Sequence, residues 1–139
     1  MRKCEHKKTR EMLKNAEHKK RGDYRVNGCR KGADGERELA GLLRDHGFET
    51  ERGGTCSYGT KPDLSGLPGV HIEVKRVERL NVNRAMQQAV ADAAKFHDGA
   101  PTVFHRQNRS GWLVTMRFED WMKLYKGEKL TSGCGGCGG

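Results

Sequence analysis

The chain has 139 residues, of which 34% are hydrophobic, and a net charge of +9. This length fits one domain of ordinary size, and the low apolar content leaves part of the chain outside any core. No apolar run approaches the roughly 18 residues of a membrane-spanning helix, and the charged N-terminus does not resemble a secretory signal. Because an odd number of cysteines also disfavours a disulfide framework, we expect a cytoplasmic protein.

The positive charge is concentrated at the N-terminus. Residues 1–31 contain 12 Lys/Arg and 4 Asp/Glu, whereas the remaining chain contains 15 and 14. We therefore predict a basic leader over residues 1–30, which is either an arm attracted to polyphosphate or a solvated tail. The composition of residues 127–139 predicts a flexible Gly/Cys-rich tail. Cys134 and Cys137 could join Cys4 and His6 in a zinc site, but the two pairs stand at opposite chain ends.

Residues 31–126 predict the folded domain. Leu39, Leu42 and Leu43 recur at helical spacing, and Gly47 is a plausible stop for that first helix, with a Gly/Asn-rich loop before it. A second helix, capped by Asn81 or Asn83, follows three strands, and two further strands precede a last helix. The predicted segments are 33–47, 48–52, 62–66, 70–77, 81–99, 101–107, 111–117 and 118–127. Their order, α-β-β-β-α-β-β-α, predicts an α/β fold around a mixed sheet.

The last helix is amphipathic. Its apolar positions include Phe118, Trp121, Met122 and Tyr125. Such a stripe either packs into the core or forms a dimer surface, and core packing is the more frequent use.

The segment "KPDLSGLPGVHIEVKR" (residues 61–76) predicts a hairpin with charged residues on one face. Strand side chains alternate, so Glu73 and Lys75 share a face, and the "GLPG" turn returns Asp63 beside them. Two adjacent carboxylates repel unless a positive charge lies between them, and Mg²⁺ prefers such oxygen ligands. A salt-bridged surface hairpin is the plainer interpretation of the same residues.

The first helix contributes a further acidic candidate. On a helical wheel, Glu36 lies within about 60° of Leu39, Ala40 and Leu43, whereas Glu38 lies about 160° away. An unpaired carboxylate on an apolar face is costly, so we expect Glu36 to face the sheet near Asp63 and Glu38 to face solvent.

These residues resemble a known family. "PD" followed by "EVK", with nine residues between Asp63 and Glu73, is similar to the PD-(D/E)XK nuclease signature. The stretch "KGADGERELAGLLRDHGFETER" resembles the opening of archaeal-type Holliday junction resolvases, with their KGxxxERxL helix. The stretch "VFHRQNRSGWLVTMRFEDWMKLY" resembles bacteriophage-encoded relatives of these resolvases. The resemblance covers about residues 31–126.

The resemblance implies a restriction-endonuclease-like fold and a metal-dependent DNA endonuclease in a bacterial or phage-infected cell. Asp63, Glu73 and the Val74 carbonyl would bind Mg²⁺ or Mn²⁺, Lys75 would position the attacking water, and Glu36 would hold a water or a second metal. The implied substrate is branched DNA such as a four-way junction, which favours a homodimer because two symmetric cuts are needed. Further candidates are Gln87 and Gln88 near the site and, for DNA contact, Lys31, Arg52, Ser57 and Arg76.

Two alternatives remain open at this point. The chain could be a general or site-specific phage endonuclease of the same fold. It could also be a DNA-binding module without catalysis, although carboxylates facing phosphate would not help such a module.

Overall fold

The computed structural model describes residues 28–54 and 59–130. The leader up to residue 27, the tail from residue 131 and Ser57 lie outside the described residues, so the predicted leader and tail stay predictions. The chain divides between Lys31 and Gly32 into two units, and all strands belong to the second. In the part of the chain that is described, no helix is long and apolar enough to cross a membrane.

The described residues form three helices and five strands, which follow one another in the predicted order. Helix α1 covers residues 28–45 of the described chain. The other elements are β1 (Glu51–Arg52), β2 (Leu64–Ser65), β3 (Val70–Arg76), α2 (Val82–Phe96), β4 (Ala100–Arg106), β5 (Leu113–Met116) and α3 (Phe118–Tyr125).

The strands form one mixed sheet in the order β1-β2-β3-β4-β5. Strands β3 and β4 are parallel, with Val70 opposite Ala100, and α2 makes the crossover between them. The other neighbouring strands pair antiparallel. The predicted α/β fold with a mixed sheet is therefore confirmed.

Helix α1 begins earlier than predicted. The sequence indicated a loop up to residue 32, but residues 28–32 are helical. Gly28 and Gly32 each weaken a helix by about 1 kcal/mol without ending it, and no proline interrupts the segment. The predicted stop is confirmed, because Gly47 has a φ of +89° and its N–H donates to the Arg44 carbonyl at 2.8 Å.

Apolar side chains fill both faces of the sheet. On one face, Leu39 and Ala40 of α1 pack with Ile72 and Val74 of β3. On the other face, alanines of α2 pack against Val103 of β4. Strand β3 is therefore covered by a different helix on each side, and its alternating residues enter different environments.

Helix α2 begins after Asn81, one of the two predicted caps, and ends at Phe96, within the predicted segment 81–99. The Asn81 side chain accepts a hydrogen bond from the Arg84 N–H at 3.0 Å and caps the helix. At the other end, His97 adopts a left-handed conformation with a φ of 52° before Gly99. Strand β1 is shorter than the predicted 48–52, since only Glu51 and Arg52 pair with β2.

Helix α3 does not pack its aromatic residues into the core, which makes the core interpretation wrong. Phe118 is 69% exposed and Tyr125 is 75% exposed, and Trp121 stacks on Tyr125 with ring centroids 5.3 Å apart. Asp120 is the buried residue of this helix and pairs with Arg117 at 2.8 Å. The apolar stripe of α3 therefore faces outward in the isolated chain.

Candidate functional site

The hairpin places Asp63 beside strand β3. Leu64 lies opposite Ile72, so Asp63 lies next to Glu73 in the antiparallel register. The Asp63 carboxylate accepts a hydrogen bond from the Val74 N–H at 2.9 Å. The Gly53 N–H donates to the Asp63 carbonyl at 3.1 Å, so the aspartate is held from both neighbouring strands.

Glu73 is a buried carboxylate with an altered pKa. Burial raises the pKa of Glu73 above its usual value, and the charges of Asp63 and Asp92 raise it further. Lys75 acts in the opposite direction, with its ammonium 2.5 Å from Oε1 of Glu73. Oε1 makes no hydrogen bond of good angular geometry in the described structure, so charge attraction holds this pair. Ionised Glu73 therefore lacks full compensation and would be stabilised by a further cation.

Lys75 lies at the rim of the same face. Its ammonium contacts Glu73 and also donates to Oε1 of Gln88 on α2 at 3.1 Å. The sequence identified Gln88 as a residue that could reach the site, and this contact confirms its proximity. Gln87 is exposed on the same helix. The two contacts hold the flexible Lys75 side chain between β3 and α2.

Glu36 lies in a different environment from Glu73. Its carboxylate pairs with Arg52 of β1 at 2.8 Å. Arg52 lies in the cross-strand row of Leu64 and Ile72, which is the face covered by α1, whereas Glu73 faces α2. Among the described residues, no hydrogen bond or ion pair connects Glu36 with the hairpin carboxylates. The inward orientation of Glu36 is therefore explained by Arg52 as its partner.

Glu38 does not simply face solvent as expected. It forms an ion pair with Arg106 of β4 and accepts a hydrogen bond from Nε1 of Trp112 at 3.2 Å. These partners come from chain segments far from α1, which is why a helical wheel did not identify them.

The candidates for DNA contact differ in their exposure. Lys31 is exposed on α1. Arg52 forms an ion pair with Glu36, and 22% of the Arg52 side chain is exposed. Arg76 is half-buried and its Cβ lies close to Gly35 of α1, while its Nε has no hydrogen-bond partner in the described structure. Ser57 is outside the described residues, so its role stays a prediction.

Sequence reasoning missed a group of residues around Glu73. His71 occupies the same face of β3, and a nitrogen of its ring lies within 4.8 Å of carboxylate oxygens of Glu73 and Asp92. Its Nδ1 is 2.8 Å from both carboxylate oxygens of Asp98. One signal in the sequence could have identified Asp92. It follows Gln88 by four residues, so the two side chains share a face of α2.

Comparison with known proteins assigns the chain to a family. The family model described as archaeal Holliday junction resolvase (Hjc) matches residues 27–130. Among solved structures, the chain is similar to Hjc of Archaeoglobus fulgidus, described as a Holliday junction resolvase from an archaeal hyperthermophile. The identity is 26% and the TM-score 0.46, over 62% of this chain and 72% of that chain. No curated protein matches the chain.

The family match covers well over half of the chain, including every described strand and helix. The implied restriction-endonuclease-like arrangement agrees with the observed mixed sheet and its element order. The chain therefore belongs to the family of archaeal Holliday junction resolvases and is a nuclease of that type.

Proposed function

We propose that this protein is a Mg²⁺-dependent endonuclease that hydrolyses phosphodiester bonds of branched DNA, above all four-way junctions. The observation that carries the proposal is the proximity of Asp63 to the buried carboxylate of Glu73, with Lys75 beside them. The membership of the chain in a resolvase family supports the choice of substrate.

The donor atoms fit a divalent cation. Glu73 supplies a buried oxygen without a well-aligned hydrogen bond, and Asp63 supplies a second carboxylate. A strand residue directs its N–H and C=O to the same side, so the Val74 carbonyl points towards Asp63, as its N–H does. Asp63, Glu73 and Val74 would thus hold Mg²⁺ or Mn²⁺ through oxygens, as these ions prefer. A cation bound there would stabilise negative charge developing on the phosphate and activate water.

Lys75 has the position of a water-orienting group. Its ammonium is anchored by Glu73 and Gln88, and 26% of its side chain is exposed. Lys75 has three N–H donors, so at least one remains for a water molecule or a phosphate oxygen after these two contacts. Replacement of Lys75 by Ala should therefore lower the cleavage rate while cation binding persists.

Homodimerisation is part of the proposal. A four-way junction requires two symmetric incisions, which a two-fold dimer provides. The exposed apolar residues of α3 and of the edge strand β5 offer a surface for such contact: Leu113, Val114, Phe118, Trp121, Leu124 and Tyr125. We further place the activity in the cytoplasm of a bacterial or phage-infected cell.

The decisive experiment compares a labelled four-way junction with a linear duplex of the same arm sequence. With Mg²⁺, we expect paired symmetric cuts in the junction at a rate at least about 10-fold above that for the duplex, and no cuts with EDTA. Equal cleavage of both substrates would instead indicate a general endonuclease. Junction binding without cleavage in either Mg²⁺ or Mn²⁺ would indicate a non-catalytic module.

A further inference from the structure

A second group of potential ligands lies on the α2 side of β3. His71 and Glu73 are two residues apart on one strand and face α2, where Asp92 is located. One ring nitrogen of His71 and one oxygen of each carboxylate all lie within 4.8 Å of one another. Asp63, which approaches from strand β2, is not a member of this group.

His71 is arranged as a metal-binding imidazole is. The residue is 1% exposed, and its ring stacks on Phe96 with centroids 6.2 Å apart. Nδ1 contacts both oxygens of Asp98 at 2.8 Å, so this nitrogen carries the proton and donates it. Nε2 then presents a lone pair, and it has no hydrogen-bond partner in the described residues. A carboxylate that orients one ring nitrogen while the other is free for a metal is a common feature of metal sites.

The surrounding charges also favour a bound cation. Glu73 lies within electrostatic range of Asp63 and Asp92, and Lys75 is the ammonium that contacts it. Among the described residues, Nε2 of His71 makes no hydrogen bond to these carboxylates. The group therefore combines several negative charges with a buried imidazole nitrogen that has no hydrogen-bond partner in the described residues.

We propose that Nε2 of His71 and the carboxylates of Glu73 and Asp92 form a site for a divalent transition-metal ion such as Mn²⁺. An imidazole ligand suits such ions, whereas Mg²⁺ prefers oxygens alone. The site is distinct from the oxygen set of Asp63, Glu73 and Val74, although both use Glu73. The proposal of this metal site rests on the positions of His71 and Asp92 and does not depend on DNA cleavage.

The test uses the full chain without DNA. Mn²⁺ is titrated and free ion is measured by electron paramagnetic resonance, while pulsed experiments detect ¹⁴N coupling from a bound imidazole. We expect ¹⁴N coupling at the first equivalent in the wild type. Asp92→Asn should lower the affinity about 10-fold or more, and Asp98→Asn should weaken it by misorienting His71. Asp45→Asn, which alters an exposed carboxylate of α1, is the matched control.

Asp63→Asn separates this proposal from the proposed nuclease function. It should abolish Mg²⁺-dependent cleavage and leave the ¹⁴N-coupled Mn²⁺ in place. The proposal is overturned if the wild type shows no ¹⁴N coupling, or if Asp92→Asn keeps both the coupling and the affinity. The absence of junction cleavage in the wild type, with ¹⁴N coupling present, would reject the nuclease proposal alone.

Discussion

The Asp63 carboxylate accepts a hydrogen bond from the backbone N–H of Val74 at 2.9 Å, across the boundary between β2 and β3. This contact occupies one carboxylate oxygen of Asp63, which lies opposite Glu73 in the strand register. A backbone N–H of β3 therefore holds this side chain beside the strand.

Replacement of Asp63 by Asn should abolish cleavage while the fold is retained. The amide oxygen can still accept from Val74, but the negative charge for a cation is lost. We expect the junction cleavage rate to fall on the order of 10³-fold or more in Mg²⁺, with DNA binding equal or tighter. Rates are measured under single-turnover conditions, with Asp45→Asn as the control. A near wild-type rate for Asp63→Asn would reject the site assignment.

Replacement of Glu73 by Gln should stabilise the metal-free protein and inactivate it. The pKa of Glu73 is raised in the folded state, so the folded protein binds the proton more tightly than the unfolded chain does. The stabilisation that the folded protein gains from this tighter proton binding is fully present below the usual pKa of about 4.5. It is lost as the pH rises through the raised pKa. In EDTA, the melting temperature of Glu73→Gln should therefore exceed that of the wild type at neutral pH, with a difference that vanishes on acidification.

The gain in the free energy of unfolding from Glu73→Gln at neutral pH should resemble that of other stabilising single substitutions, about 0.5–2 kcal/mol. Added Mg²⁺ should raise the melting temperature of the wild type and leave that of Glu73→Gln nearly unchanged. Glu49→Gln, at an exposed position, serves as the control. A lower melting temperature for Glu73→Gln at neutral pH would mean that the ion pair with Lys75 outweighs the cost of burial.

Replacement of Glu36 by Gln tests the catalytic role that the family resemblance implies for it against a structural role in the ion pair with Arg52. We expect the cleavage rate to fall about 10-fold or more, comparable to the loss of a residue that supports a metal site, with junction affinity unchanged. Arg52→Lys keeps a positive charge next to Glu36 and should retain most of the activity. If Glu36→Gln lowers only the melting temperature, Glu36 has a structural role on the α1 face.

Replacement of Trp121 by Asp should disrupt the proposed dimer. Trp121 lies on the exposed apolar face of α3, so a charge there would be desolvated at an interface but tolerated in a monomer. Sedimentation velocity should show the mass of a dimer for the wild type and that of a monomer for the variant. Phe48→Asp, an exposed aromatic position outside α3 and β5, is the control. A monomeric wild type at micromolar concentration would refute the interface.

Neutralisation of the leader should weaken DNA binding through salt-dependent contacts. Substitution of Lys7, Lys8, Lys19 and Lys20 by Gln removes four of the twelve positive charges in residues 1–31. Each lost phosphate contact should reduce the slope of log K against log salt by roughly 0.9 for duplex DNA. The same four positions changed to Arg should keep the slope. An unchanged slope in the Gln variant would show that these lysines do not contact DNA.

The sequence by itself determined the order of the elements and the proximity of Asp63 to Glu73. The start of α2 after Asn81 follows from side-chain capping, and the end of α1 at Gly47 follows from the left-handed backbone of this glycine. Both effects depend on a few neighbouring residues. The proximity of Asp63 to Glu73 follows from strand alternation across one short hairpin. Such relationships are local in the chain, so the pattern of residues is sufficient to predict them.

Only the tertiary structure decided which side chains from distant segments meet. The wheel placed Glu36 on an apolar face, whereas the layering of α1 and α2 on opposite faces of the sheet pairs it with Arg52 of β1. The same layering brings Asp92 beside His71, and Glu38 beside Arg106. The physical reason is that an amphipathic pattern specifies which face of a helix is buried. The face of the sheet against which the helix packs depends instead on the crossover and on side-chain fit across the whole domain.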